Sequence, residues 1–96
     1  MIKSGFIVVT TFHFSGDTTA DTSVSSVFPS PHAAQQKMFD KLEESKSEGV
    51  MSLSHGFDPT EWSITQQPDH IKAICLDNPD RWITLKVCEV SILPQG

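Results

Sequence analysis

Hydrophobic and polar side chains alternate along the first part of the chain. One face of this segment holds Phe6, Val8, Thr10, Phe12 and Phe14, and the other begins with Ile7 and Val9 before it becomes polar at Thr11 and His13. A period of two residues predicts a β-strand. Since the first half of the strand is apolar on both faces, we expect it to lie near the middle of a sheet.

A second, weaker strand is predicted after a polar stretch. Ser15, Gly16 and Asp17 have the residue types of a turn, and serines and threonines follow them. Val24 and Phe28 then share one face of a short extended segment with Ser26. The pattern favours a strand over residues 24–28.

Residues 30–49 have the pattern of one amphipathic helix. Ser30 and Pro31 suit the N-cap and the first helical position. Helical spacing places four residues on one stripe that would pack against a sheet: Ala34, Met38, Leu42 and Ser45. Gly49 stands where a left-handed residue commonly ends a helix, so we expect it to act as the terminator.

Residues 50–65 allow more than one interpretation. Val50, Met51 and Leu53 could form a short strand that serines interrupt. Further on, residues 58–61 match an N-cap, a first-turn proline and a capping acid, which predicts one helical turn. Residues 62–65 could instead begin a strand, and the sequence does not decide between the two.

The last third of the chain predicts a β-hairpin. Two apolar segments, 70–76 and 82–92, flank a turn over residues 77–80. In the second segment the apolar positions change from Val87 to Cys88, which indicates a one-residue β-bulge there. Pairing Leu76 with Arg81 would place Cys75 opposite Trp82, and Cys88 opposite Asp69. Such a register keeps the two thiols apart and predicts free cysteines.

These elements predict one α+β domain over residues 1–96. Its antiparallel sheet has four to five strands, one helix packs on one face, and the order is roughly β-β-α-β-β. The ends of the first strand and the bulged last strand are candidate edges to which an extended peptide could add. The strand pairings, the oligomeric state and the order of the sheet do not follow from one sequence.

Composition and charge narrow the classes of function. The net charge of −5 disfavours direct binding to nucleic acid. No apolar run is long enough for a membrane span, and no export signal is recognisable, so we expect a cytoplasmic protein. Phosphate-binding loops, dinucleotide-binding motifs, nucleophile elbows and zinc-protease helices are absent from the sequence. We therefore expect a protein that is not an enzyme and has no cofactor.

Histidines and cysteines offer alternatives from other classes. One alternative is a small-ligand or metal-binding domain, which could be an oligomer. It would need His13, His55 and His70 to converge, with Asp69 as a further ligand, although no local spacing enforces it. Otherwise it would need a cleft between subunits lined by phenylalanine and tryptophan side chains. An enzyme would need Cys75 or Cys88 beside a histidine, and nearby carboxylates oppose thiolate formation. We expect polar surface histidines and no bound metal.

Aromatic and acidic residues in the second half of the chain form the candidate partner-binding set: Asp58, Glu61, Trp62, Asp69, Asp77, Asp80 and Trp82. Acidic loops attract a basic partner, and an exposed tryptophan anchors interfaces, although either tryptophan could instead fill the core. We predict a protein-binding module that covers a basic surface of a larger protein. Its size and charge are compatible with a phage- or mobile-element-type inhibitor of a nucleic-acid-handling enzyme, including anti-defence proteins.

Overall fold

The computed structural model describes residues 3–92. They form one helix and five strands, with a short 3₁₀ turn at Pro59–Glu61. In chain order the elements are β1 (Lys3–His13), β2 (Asp21–Val24), α1 (Pro31–Ser47), β3 (Trp62–Gln67), β4 (His70–Cys75) and β5 (Trp82–Ile92). The predicted end of the last strand, at residues 94–96, lies outside the described residues.

All five strands belong to one antiparallel sheet in the order β2-β1-β5-β4-β3, and α1 packs across β1 and β5 on one face. The predicted α+β fold is confirmed. β1 is an inner strand, as its two apolar faces indicated. The outermost strands are β2 and β3, but β2 pairs with β1 only over residues 9–12 and β4 pairs with β5 only over residues 82–86. The ends of β1 and the second half of β5 therefore have one ladder partner each, as the predicted edges required.

β5 contains no bulge. Its ladder with β1 runs without interruption from the Lys3–Ile92 pair to the His13–Trp82 pair. Cys88 and Val90 therefore face the side of the sheet that α1 does not cover, and Cys88 lies opposite Ile7 there. The apolar positions of β5 change faces here because β1 and β5 both carry apolar residues on this part of the uncovered face.

The β4–β5 hairpin is confirmed, but its predicted register was wrong by one residue. Ile74, rather than Cys75, lies opposite Trp82. The N–H of Cys75 donates to the backbone oxygen of Arg81 at 3.0 Å, so the turn begins one residue earlier than the sequence suggested. Cys75 is buried on the helix side, Cys88 lies on the other face, and both thiols are free.

The α1 helix begins where the sequence predicts. The Ser30 side chain accepts a hydrogen bond from the Ala33 N–H at 3.2 Å, and Pro31 occupies the first turn. The buried residues of the helix are Ala34, Met38, Leu42 and Ser45. They meet a core of sheet and loop residues that includes Val8, Val50, Met51, Trp62, Ile71, Ala73, Cys75, Ile83 and Leu85.

Gly49 follows the helix but does not adopt the left-handed conformation, so the predicted terminator was wrong. Among the described residues, positive φ occurs only at Gly16 and Gly56. A Cβ on Gly49 would lie 2.7 Å from Ser45 Cα, closer than real Cβ atoms come to other atoms. Its N–H donates to Ser45 O at 3.1 Å. Glycine is needed at this position for space.

The segment between α1 and β3 resolves the open interpretations. Val50 and Met51 are buried, but they lie in turns and not in the short strand considered for them. Asp58 caps the 3₁₀ turn by accepting a hydrogen bond from the Thr60 N–H at 2.9 Å. β3 then starts at Trp62, so the helical turn and the strand occur one after the other.

The second strand lies earlier than predicted, at Asp21–Val24. The Ser25 side chain accepts a hydrogen bond from the Val8 N–H at 2.8 Å, in place of a backbone oxygen of the neighbouring strand. Phe28 returns to β1 through a single bridge to Phe6. The side-chain hydrogen bond of Ser25 thus ends the regular ladder before residues 26–28.

Candidate functional site

One end of the sheet collects most of the acidic loops. β1 ends at His13 where β5 begins at Trp82, so the β1–β2 loop and the β4–β5 turn lie together. The start of β3 joins them, because the Leu76 N–H donates to Glu61 O at 2.8 Å. We call this surface the acidic end, and its carboxylates are those of Asp17, Asp58, Glu61, Asp77 and Asp80.

Asp69 is not part of the acidic end. It lies in the turn between β3 and β4, at the other end of β4. A strand of six residues separates it from the β4–β5 turn, which corresponds to about 20 Å. The five acidic residues predicted from the sequence therefore do not share one surface, because alternate turns of a meander lie at opposite ends of the sheet.

His13 joins the two loops of the acidic end. Its Nδ1 is within hydrogen-bond distance of the backbone oxygen of Asp80, and its Nε2 lies 2.9 Å from that of Asp17. Both partners are carbonyl acceptors, so the ring can donate to both of them only in its protonated, positively charged form. The hydrogen bond to Asp80 O is the main cause that raises the pKa of His13 above 6.5. The ring is also stacked on Trp82, with centroids 6.0 Å apart.

Two further contacts fix the β4–β5 turn. The Asn78 Nδ2 donates to Ser15 Oγ at 2.7 Å, which is a second link to the β1–β2 loop. On the helix side, the Arg81 guanidinium donates to Val50 O at 2.7 Å and lies over the Phe14 ring. The turn is thus attached to the β1–β2 loop on one side and to the segment after α1 on the other.

The two tryptophans of the predicted set have different positions. Trp62 is only 4% exposed and belongs to the core, so it is removed from the candidate binding surface. Its indole Nε1 is buried and has no hydrogen-bond partner within the described part of the chain. Trp82 is half-buried on the uncovered face beside His13. Trp62 faces the core because its Cα partner, Cys75, is on the helix side.

Leu76 is a residue of the acidic end that sequence reasoning missed. Its side chain is 57% exposed, although it directly follows the buried Cys75. Strand alternation places it on the same side as Ile74, whose Cα partner is Trp82. The apolar pattern before the turn predicts a regular strand and does not single out its last residue. The signal that could have found Leu76 was its position next to Asp77, where the strand gives way to an exposed turn.

His55 and Glu61 are hydrogen-bonded beside the 3₁₀ turn and form an ion pair when His55 is protonated. The hydrogen bond that the His55 ring donates to the Glu61 carboxylate is the main cause that raises the pKa of His55 above 6.5. Hydrogen bonds from the Thr60 side chain and backbone lower the pKa of Asp58. The carboxylates of Glu61 and Asp58 therefore bind neighbours in their own segment of the chain. The other carboxylates of the acidic end lie in the β1–β2 loop and the β4–β5 turn.

The histidines do not assemble a metal centre. His13 and His70 are separated along the sheet, because β5 pairs Trp82 with His13 and Lys86 with His70, and four residues of a strand span about 13 Å. Across residues 3–92 there is no group of three or more histidine, cysteine, aspartate or glutamate side chains arranged to hold a metal ion. The convergence that the metal hypothesis required is contradicted.

A groove lies between the C-terminal half of α1 and the sheet. Its volume is about 410 Å³. The apolar part of its wall comprises Phe12, Phe14, Val50 and Ile83, and Lys41, Glu44 and Glu48 supply charged groups. This groove was not predicted, because its two walls come from elements that are distant in the sequence.

Comparison of the chain with family models, with curated proteins and with solved structures gives no match. Within residues 3–92, no helix combines the length and the apolar content that crossing a bilayer requires.

Proposed function

We propose that this protein is a non-catalytic binding module whose acidic end docks on a basic surface of a larger protein and covers it. The observation that carries the proposal is the exposed Leu76 side chain next to Asp77 in the β4–β5 turn. An exposed aliphatic group among carboxylates offers the two parts of a protein interface, which are an apolar centre and a charged rim.

Electrostatics favour a basic partner. The chain carries a net charge of −5, and Asp17, Asp77 and Asp80 are exposed in neighbouring loops. Complementary potentials accelerate encounter and align the partners. A surface that binds a nucleic-acid backbone has the required basic chemistry. We therefore favour an inhibitor of a nucleic-acid-handling protein, of the kind that phages and mobile elements direct against host defence.

The fixed loops also support a binding role. His13 and the Asn78–Ser15 contact hold the β1–β2 loop and the β4–β5 turn together in the free protein. Loops that are already ordered lose less conformational entropy when a partner binds. The acidic end is thus prepared for docking before the partner arrives.

Charge reversal at matched positions tests the proposal. The first variant combines Asp77→Lys and Asp80→Lys, and the control combines Asp40→Lys on α1 with Asp69→Lys at the opposite end of the sheet. All four residues are exposed, and the two variants have the same net charge. Each tagged protein captures partners from a lysate of the source cells, and mass spectrometry quantifies them.

The proposal predicts that a stoichiometric partner of the wild type is lost with the first variant and retained with the control. Capture should also weaken as salt is added, because salt screens exposed charges. Equal loss with both variants would show that total charge matters and the acidic end does not. Unchanged capture with the first variant would also contradict the proposal.

A second candidate function is the binding of a small ligand in the groove beside α1. The groove has an apolar wall and charged groups from Lys41, Glu44 and Glu48, a combination typical of ligand sites. A ligand that binds the native state raises the melting temperature. Thermal melts with a metabolite library test this function, and the shift should disappear when Ser23→Trp fills the groove.

A further inference from the structure

The outer edge of β3 has no partner in the chain. Across the part of the molecule that the structure describes, no backbone group of residues 63–67 forms a hydrogen bond outside the β3–β4 ladder. Ser63, Thr65, Gln66 and Gln67 are exposed, and Ile64 is half-buried on the helix side. An open edge of this kind offers hydrogen bonds to another strand.

The ladder shows which groups point outwards. The Leu76 N–H donates to Glu61 O at 2.8 Å, which makes this a hydrogen-bonded pair. In an antiparallel ladder such pairs alternate with pairs that are not hydrogen-bonded. Ser63, Thr65 and Gln67 therefore bond to β4, whereas the N–H and C=O groups of Ile64 and Gln66 point away from the sheet.

Both ends of this free edge are closed. At one end the Trp62 N–H donates to Pro59 O within the 3₁₀ turn. At the other end Pro68 has no N–H to donate. The free edge therefore extends over residues 63–67, and its central residue is Thr65.

β3 also lacks the devices that usually protect edge strands. It has six residues, and its sequence Trp-Ser-Ile-Thr-Gln-Gln contains no charge, no proline and no glycine. Protected edges carry lysine, other charges, proline or bulges, or they are very short. The other edge strand, β2, has four residues and begins with Asp21.

We propose that the β3 edge pairs with the β3 edge of a second copy of this chain around a two-fold axis at Thr65. In this antiparallel register Ile64 of each copy exchanges both backbone hydrogen bonds with Gln66 of the other. The Thr65 side chains meet across the axis on the uncovered face, as a close pair that is not hydrogen-bonded. Trp62 of one copy lies opposite Pro68 of the other. No hydrogen bond forms there, because the Trp62 N–H already binds Pro59 O and proline has no N–H.

The charges of the two copies are compatible with this pairing. Because β3 is uncharged, no like charges meet within the paired strands, although each chain has a net charge of −5. The paired surface is isologous, as closed dimers require, and the two sheets form one continuous sheet. The edge is short, so the dimer is a weak one that depends on concentration.

Sedimentation of the full chain tests the proposal between about 1 µM and about 1 mM. The wild type should change from a monomer of 10.6 kDa towards twice that mass. Thr65→Lys places two ammonium groups next to the axis and should keep the protein monomeric at every concentration. Thr22→Lys, the same change on the same face of the other edge strand, should behave like the wild type.

A second variant removes an outward donor. Gln66→Pro deletes an N–H that β4 does not use, and it should lower dimerisation without changing the far-ultraviolet circular dichroism. A wild type that stays monomeric up to the highest concentration would overturn the proposal. Equal effects of Thr65→Lys and Thr22→Lys would also overturn it, because association would then depend on charge and not on the β3 edge.

Discussion

The His13 ring and the backbone oxygen of Asp80 form a hydrogen bond that connects the end of β1 to the β4–β5 turn. The second ring nitrogen binds Asp17 O, so one imidazolium connects both loops of the acidic end. Neutral imidazole has only one N–H and cannot donate to both oxygens. The order of these loops is therefore coupled to the protonation of one side chain.

This coupling predicts a pH dependence of stability. The folded-state pKa of His13 is raised, so its stabilising contribution is complete below the unfolded value of 6.5 and is lost as pH rises through the folded pKa. His55 has a raised pKa and contributes with the same sign. We expect the melting temperature to fall as the pH is raised from about 6 to about 8.

Matched histidine variants separate the sources of that dependence. His13→Gln should reduce the slope of melting temperature against pH, leaving the part that belongs to His55. His55→Gln should remove that remaining part and leave the part that belongs to His13. A slope that is identical in the wild type and in His13→Gln would contradict the coupling of the two loops to the protonation of His13.

Gly49→Ala should destabilise the protein through steric overlap. The new Cβ would lie 2.7 Å from Ser45 Cα, a backbone atom at the end of α1 that cannot rotate away. Overpacking of this kind costs about 1–3 kcal/mol in the free energy of unfolding. Urea denaturation measures the loss.

Gly16→Ala provides the comparison, because the loss of stability expected there comes from the backbone conformation and not from steric overlap. Gly16 has a φ of 87° and open space around it. The left-handed backbone costs an alanine about 1–2 kcal/mol. A Gly49→Ala variant as stable as the wild type would mean that the end of α1 shifts without cost, and it would contradict the steric role of Gly49.

Ser30→Ala should lower the stability of α1. The Ser30 hydroxyl satisfies the Ala33 N–H, and alanine leaves that donor without its cap. Loss of an N-cap costs about 1 kcal/mol. Denaturation midpoints measure the effect, and Ser30→Asp should retain most of the stability because aspartate also caps helices. Equal losses for the two substitutions would show that the cap is not the cause.

Asn78→Ala should loosen the acidic end without unfolding the sheet. It removes the Asn78–Ser15 hydrogen bond and the contact of Asn78 Oδ1 with the Asp80 N–H. Hydrogen exchange followed by mass spectrometry should show faster exchange in residues 14–20 and 76–81, with α1 unchanged. Gln36→Ala on the exposed side of α1 is the control. Unchanged exchange in both loops would contradict the proposed link.

Local signals explain how much of the fold the sequence could predict. Ser30 and Pro31 start the helix through contacts within one turn, and the alternation from Phe6 to Phe14 identifies β1. Both signals lie within a few residues. The steric role of Gly49 was not visible, because a helix-ending glycine has the same sequence pattern whether it provides space or a positive φ.

The site was harder to predict, because its residues come from segments that are distant in the sequence and are brought together by strand pairing. The register between β4 and β5 depends on how Asn78 and Arg81 close the turn. The predicted register was avoidable, because a shift of one residue would move the buried Ala73 and Ile83 to opposite faces of the sheet. The separation of Asp69 from Asp77 follows from the direction of β4, which composition cannot show. Trp62 and Trp82 each begin a strand directly after a charged residue, and only the sheet pairing places the first in the core.

Site-specific photo-crosslinking from position 76 is the most direct test of the acidic end as a docking surface. A photoreactive amino acid replaces Leu76 in one variant and Gln36, exposed on α1, in the control, and both are irradiated in source-cell lysate. We expect one crosslinked partner from position 76, reduced at high salt, and none from position 36. Crosslinking of a co-purifying partner from position 36 alone would place the interface on α1 and contradict docking through the acidic end.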